Sequence, residues 1–256
     1  MGAVAAATLS PFNSGERSTD TASIRTYDAD MVLEEDGTLH VDERIVVTMP
    51  SGKRGIFRIF DTADPRREGV DHPVSSVQVH RGERAEPYQW VDSATGTETL
   101  RIGDENVYLD PGEHTYRIRS TTTDVLEPGE EGETLWWWDV IGGGWQMSMG
   151  STRVEVELPA EPLRVECVMG EGEATPCDAE ATDRRLVVST GRLEPFTPVT
   201  VRVAFPADAL PAPPAGDSAL VTVLLSVAAA VLAAGVGLWL WAATREKAPG
   251  LPVLFE

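Results

Sequence analysis

The side chains with the most chemical promise are aromatic and cationic. Trp136, Trp137 and Trp138 stand consecutively in LWWWDV, and Trp145 follows a run of three glycines. Indole rings stack on sugars or seat a partner's side chain. The stretch KRGIFR, residues 53–58, places Lys53, Arg54 and Arg58 in an otherwise acidic chain. Guanidinium forks suit carboxylate or phosphate groups, whether on a ligand or among the protein's own acids. Cys167 and Cys177 bracket VMGEGEATP, a loop composition. A disulfide closing such a loop stabilises a fold by roughly 3 kcal/mol. Two cysteines with no histidine beside them are too few for structural zinc. EPGEEGE, residues 127–133, is rich in oxygen ligands but lacks the spacing of an EF-hand loop. No metal and no cofactor is expected.

A catalytic reading finds little to hold. The histidines, His40, His72, His80 and His114, are scattered over strands and turns. Neither G-x-S-x-G nor H-E-x-x-H occurs. Gly142-Gly143-Gly144 leads into another apolar strand pattern, whereas a phosphate loop needs a helix N-terminus there. No catalytic residue is assigned, and binding is expected rather than catalysis.

The elements that position these groups are strands. Period-two alternation places Arg25, Tyr27, Ala29, Met31 and Leu33 on one face of residues 24–33. Asp36-Gly37 makes a turn, and Leu39, Val41, Ile45, Val47 and Met49 line a return strand. Shorter alternating runs follow at residues 74–80, 88–91, 97–102, 114–120, 135–140, 153–158, 163–167, 185–188 and 197–205. Turn residues separate them, and no stretch of helical period appears before residue 219. This predicts an all-β, antiparallel β-sandwich, immunoglobulin-like or similar, over residues 23–206. On strand 135–140, Trp136 and Trp138 share one face and Trp137 takes the other. One face of a sandwich is core, so at least one indole is exposed, loop-covered or in an interface.

Residues 219–243, from Ala219 to Ala243, contain no charged residue, His, Asn, Gln or Pro. At about 1.5 Å per residue such a helix reaches roughly 37 Å, enough to cross a hydrocarbon core of about 30 Å. Trp239 and Trp241 near one end, then Arg245 and Lys247, place that end on the cytoplasmic side. A single C-terminal transmembrane helix over residues 218–243 is therefore expected. A Pro-rich linker, residues 207–217, precedes it and a short cytoplasmic tail, residues 244–256, follows. Residues 1–22 read as the remnant of an export leader and a polar lead-in. The formal charge of −20 lies wholly before residue 219, because Arg245 and Lys247 cancel Glu246 and Glu256. Such a surface disfavours nucleic acid. Disulfides persist outside the cytoplasm, in agreement with an exported head.

Several stretches taken together resemble a known family. They are DGTLHVDERIVV (36–47), KRGIFR (53–58), LRIGDE (100–105), HTYRIRS (114–120), LWWWDVIGGGW (135–145) and VELPAEPLRVECVMGEGEATPC (156–177). Their order and spacing, followed by a Pro-rich linker and a span, are similar to the DUF2207 family of predicted membrane proteins. The resemblance covers residues 23–243. It implies an exported N-terminal β domain, a membrane anchor and further spans with a cytoplasmic C-terminal region. It implies a piece of a longer chain here, and it carries no catalytic residues across. The expected role is a cell-envelope module that binds an envelope protein or its own subunit through Trp136, Trp137, Trp138, Trp145, Arg54 and Arg58. Glycan recognition by exposed tryptophans, or an enzyme with an unrecognised site, are the alternatives.

Overall fold

A computed structural model describes residues 19–211, Asp92 and Glu173 excepted. The expected leader, linker, apolar span and tail lie outside the described residues or at their margins. Among the described residues no helix is long and apolar enough to cross a membrane.

The fold is nearly all strand. In chain order the strands are β1 (Ser23–Leu33), β2 (Leu39–Met49), β3 (Ile56–Asp61), β4 (Val74–Arg81), β5 (Arg84–Ala85), β6 (Tyr88–Val91), β7 (Thr97–Ile102) and β8 (Gly112–Thr122). Then come β9 (Leu126–Pro128), β10 (Thr134–Ile141), β11 (Met149–Glu157), β12 (Arg164–Met169), β13 (Thr175–Pro176), β14 (Asp178–Thr182), β15 (Arg185–Thr190) and β16 (Val199–Phe205). They form three sheets, ordered β14-β15-β11-β1-β2-β8-β4-β5, β13-β12-β16-β10-β9 and β3-β7-β6. One hydrophobic cluster draws residues from all three, including Ile45, Trp136 and Leu100.

The β1–β2 hairpin follows from its sequence. The Asp36 carboxylate accepts the Thr38 N–H at 2.9 Å, and Gly37 takes φ +82, a conformation glycine adopts without strain. Alternation then buries Tyr27, Ala29, Met31 and Leu33 against the core. The start of β1 differs from the simple pattern. The pairing with β2 shifts between Ile24 and Thr26, so Ile24 turns inward at 1% exposure while Arg25 is exposed. A bulge moves one residue out of register and exchanges the faces.

Pairing is antiparallel except between β1 and β11, which run parallel, with Ala29 opposite Val154. Alternation cannot distinguish the two directions, because both have period two. The acidic run also differs from a plain loop. Its first residues belong to β9, which pairs with β10 over Thr134–Trp136. Cys167 and Cys177 are bonded with Cα atoms 5.1 Å apart, tying β12 to the segment between β13 and β14.

Candidate functional site

The site begins with a charged residue on an apolar face. Continuing the β2 alternation from Val41 to Ile45 puts Glu43 inward, and its exposure is 0%. Across the sheet it is paired with Ala29 on β1 and Ile118 on β8. An isolated carboxylate there would be costly, so it needs partners. Tyr27 Oη donates to Glu43 Oε1 at 2.7 Å, and Arg58 Nε reaches both carboxylate oxygens at 3.1 and 3.2 Å. Arg58 Nη1 also donates to the Ile59 carbonyl, and its guanidinium lies 4.4 Å from the Phe60 ring and 5.1 Å from the Trp145 ring. Burial first, then the Glu43 charge, holds the Tyr27 phenol protonated well above its ordinary range, against the opposing charge of Arg58. This group fastens β3 of the three-stranded sheet onto the eight-stranded sheet.

Beside it opens a cavity of about 300 Å³ where the three sheets meet. Its floor is the inner face of the large sheet, with Met31, Val41 and Ser120 in one cross-strand row and Thr122 and Val74 in another. One wall is β10, from Trp137 to Val140. The facing wall is β3, with Arg58, Phe60 and Asp61. The loop after β3 closes the remaining side through Ala63, Pro65, Arg66 and His72. The glycines after β10 let the walls approach. A Cβ on Gly144 would stand 2.7 Å from Ile59 Cβ and 3.0 Å from the Ile59 carbonyl oxygen.

The loop is pinned by a buried carboxylate. Asp64 accepts the Arg66 N–H at 2.8 Å and Arg67 Nε at 2.6 Å. Burial works against its charge, but these bonds and the two guanidinium groups hold it below the usual carboxylate range. Arg67 also donates to the carbonyls of Leu126 and Asp124, at 3.2 and 3.0 Å. Arg66 donates to the Trp137 carbonyl at 3.2 Å and pairs with Glu127 at 3.4 Å. A guanidinium thus occupies the β10 edge where β9 stops. His72, 5% exposed, faces the Thr123 carbonyl at 3.3 Å and Asp64 at 3.5 Å, with Trp138 edge-on at 5.2 Å. Burial is the main reason its pKa falls below the ordinary value.

Two further carboxylates stand at the mouth. Asp139 accepts a hydrogen bond from Thr200 Oγ1 at 2.5 Å. One side of Asp139 opens to water, but protein crowds the rest. That crowding, followed by repulsion from Asp61 and Glu171, pushes its pKa up to about 6, against the Thr200 bond and the Arg66 charge. Asp61 is likewise raised by desolvation and by Glu171, with Arg58 opposing.

The tryptophans alternate as their spacing requires. Trp136 is 0% exposed in the core, Trp138 is half-buried against His72, and Trp137 is 37% exposed. Trp137 and Trp138 line the cavity; Trp136 and Trp145, the latter 2% exposed beside Tyr27, do not. Arg54 and Arg58 do not form one patch. Arg58 turns inward to Glu43, whereas exposed Arg54 stacks on Tyr108 at 4.2 Å. Alternation would put residues 54 and 58 on one face, but β3 begins only at Ile56, so Arg54 lies before the strand and outside its pattern. Sequence reasoning missed Glu43, Asp61, Asp139 and the Asp64 loop. Glu43 alone had a local signal, an acid at an inward position of a strong alternation.

A family model for the N-terminal domain of DUF2207, a predicted membrane protein, matches residues 23–205. No curated protein matches the chain. Among solved structures, leukotriene A4 hydrolase from Saccharomyces cerevisiae is 11% identical, with a TM-score of 0.48 over 72% of this chain and 29% of that one. An M1 zinc metallopeptidase from Deinococcus radiodurans is 13% identical, with a TM-score of 0.37 over 70% of this chain and 42% of that one. The chain thus spans less than half the length of either. Likenesses this distant say nothing of activity.

Proposed function

The chain belongs to the DUF2207 family of predicted membrane proteins, and on that premise we propose that its β domain is the extracytoplasmic head of a membrane-anchored protein that works by binding. The head is read as a β-sandwich, and the residues from Ala219 to Ala243 are read as its anchor. Its ligand is a segment of another envelope protein or of a neighbouring subunit. The observation that carries this reading is the cavity beside β10, which has apolar walls and a few converging polar groups, the usual character of a binding cleft. Trp137 at its rim offers the kind of aromatic anchor that dominates binding energies. The Cys167–Cys177 bond supports an oxidising location. Glycan stacking has less support, because Arg66 already lies 4.4 Å from the Trp137 ring and Arg202 5.3 Å from it. A sugar would have to displace a guanidinium that gains about 0.5–2 kcal/mol from the ring. No catalytic step is assigned.

The test is photo-cross-linking of the full chain in its own membrane. A benzoylphenylalanine replacing Trp137 should give a discrete protein adduct. The same group replacing Val168, exposed on β12, should give none. No adduct from position 137, or equal adducts from both, would refute the docking site. Alkaline phosphatase joined after residue 211 should be active if the head is outside, and inactive if it is not.

A further inference from the structure

The charges around the cleft are not balanced. Arg58 is hydrogen-bonded to Glu43, with its Nε held at 3.1 Å, and its charge offsets Asp61 only in part, without an ion pair between them. Arg66 and Arg67 are matched by Asp64 and Glu127. Burial keeps the His72 ring toward its neutral form. Asp61 and Asp139 remain. Among the described residues neither has an ion-pair partner, and Asp139 has only the Thr200 hydroxyl as a hydrogen-bond donor. They flank a cavity whose walls are mostly apolar, through Met31, Val41, Phe60, Val74, Trp138 and Val140, with Arg58, Arg66 and His72 as its other ionisable lining groups.

We infer that the docked segment enters this cleft with a Lys or Arg side chain, its stem against Phe60, Trp138 and Val140 and its charged end between Asp61 and Asp139. The inference rests on the docking reading above. Long cationic side chains bury their methylenes on apolar walls and keep the charge at a polar end, which is the pattern these residues present. Charge complementarity selects the occupant, since an acidic or neutral side chain would leave the two carboxylates repelling each other. The groups facing Asp139 are Thr200 from β16, Asp61 from β3, Arg66 from the loop after β3 and Glu171 from the loop after β12. A second cation from the ligand relieves the repulsion that Arg66 only partly offsets. Because Asp139 takes up a proton near pH 6, binding weakens as the medium acidifies through that value.

Calorimetric titration of the full chain in detergent tests this with acetyl-Leu-Lys-Leu-amide, its Gln counterpart and calcium chloride. The Lys peptide should bind at pH 7.5, the Gln peptide at least about tenfold more weakly. Asp61→Asn and Asp139→Asn should each weaken the Lys peptide by about tenfold, with thermal melts confirming that both variants fold. Affinity for the Lys peptide should fall between pH 7 and pH 5. Equal affinity for the two peptides, no binding of the Lys peptide, or affinity unchanged in both Asn variants would overturn the inference. Saturation by calcium without peptide binding would also overturn it, in favour of an inorganic cation site. If the cross-link from position 137 persists while one of these results is found, docking stands and the basic side chain falls. Loss of the cross-link removes both.

Discussion

Arg58→Met should destabilise the head far more than its position near a strand start suggests. Glu43 is 0% exposed and receives three hydrogen bonds, one from Tyr27 at 2.7 Å and two from Arg58 Nε at 3.1 and 3.2 Å. Methionine fills much of the arginine stem's volume, so the loss is mainly of charge. The variant leaves a buried carboxylate with a single neutral donor. Removing one partner of a buried pair costs about 3–5 kcal/mol. For a domain of this size that lowers the melting temperature by roughly 10 °C. Glu43→Leu together with Arg58→Met removes both charges, strands the Tyr27 hydroxyl and takes the Nη1 donor from the Ile59 carbonyl, at a cost of about 1–3 kcal/mol. Adding Tyr27→Phe should bring the triple variant within about 2 kcal/mol of the parent, since apolar replacement of a buried pair is often near neutral. Urea unfolding of the full chain in detergent, followed by near-ultraviolet circular dichroism, measures each step. Trp145 stands 5.1 Å from the Arg58 guanidinium and reports on the same place. If the single variant is as stable as the triple one, the pair is not what holds β3 to the large sheet, and the argument is refuted.

Three other outcomes are expected. Replacing Cys167 and Cys177 by serine should cost about 2–3 kcal/mol, read from urea midpoints against the oxidised parent. Gly103→Ala should cost about 2–3 kcal/mol or abolish folding, because Gly103 has φ +118 and a Cβ there would lie 2.2 Å from the Arg54 carbonyl oxygen; melting curves decide it. The Asp139 pKa of about 6 lies above the ordinary value of about 3.9 for an unfolded chain, so this group favours folding at acid pH and loses that contribution as pH rises from about 4 to 6. Asp139→Asn should therefore remove that slope and be the more stable form above pH 6. The gain should be a few tenths of a kcal/mol, given the carboxylate's open face to water, and melts at pH 4, 5, 6 and 7 would show an unchanged slope if the reasoning fails.

What could be read from the chain was what repeats locally. The β1–β2 hairpin was legible because Asp36-Gly37 demands a turn and the residues on either side alternate. The face of Trp137 was legible because alternation leaves an odd tryptophan no other side. Arg25 was not, because a bulge is decided by pairing across strands. The parallel β1–β11 pair was not, because direction leaves no mark on a period of two. The cleft was the least legible feature, for the same reason. Asp61 ends one strand, Asp139 sits near the end of another far along the chain, and their floor comes from β1, β2, β4 and β8. No spacing joins them; only the meeting of three sheets does.

Glu43 shows how that meeting could be sensed before it was seen. A strand that buries Ile45, Val47 and Met49 on one face cannot place an acid on the same face unless something cationic arrives from elsewhere in the fold. The chain has 21 lysines and arginines, and KRGIFR supplied one of the candidates. The acid therefore predicts a distant arginine, the arginine predicts that β3 crosses the large sheet at that point, and the crossing leaves a gap beside it. The proposed site of binding and the fastening of the fold are in this sense the same event. The ion pair that lets the small sheet dock holds Arg58 to Glu43, so its charge offsets Asp61 only in part, which is why the proposed ligand is expected to bring a cation of its own.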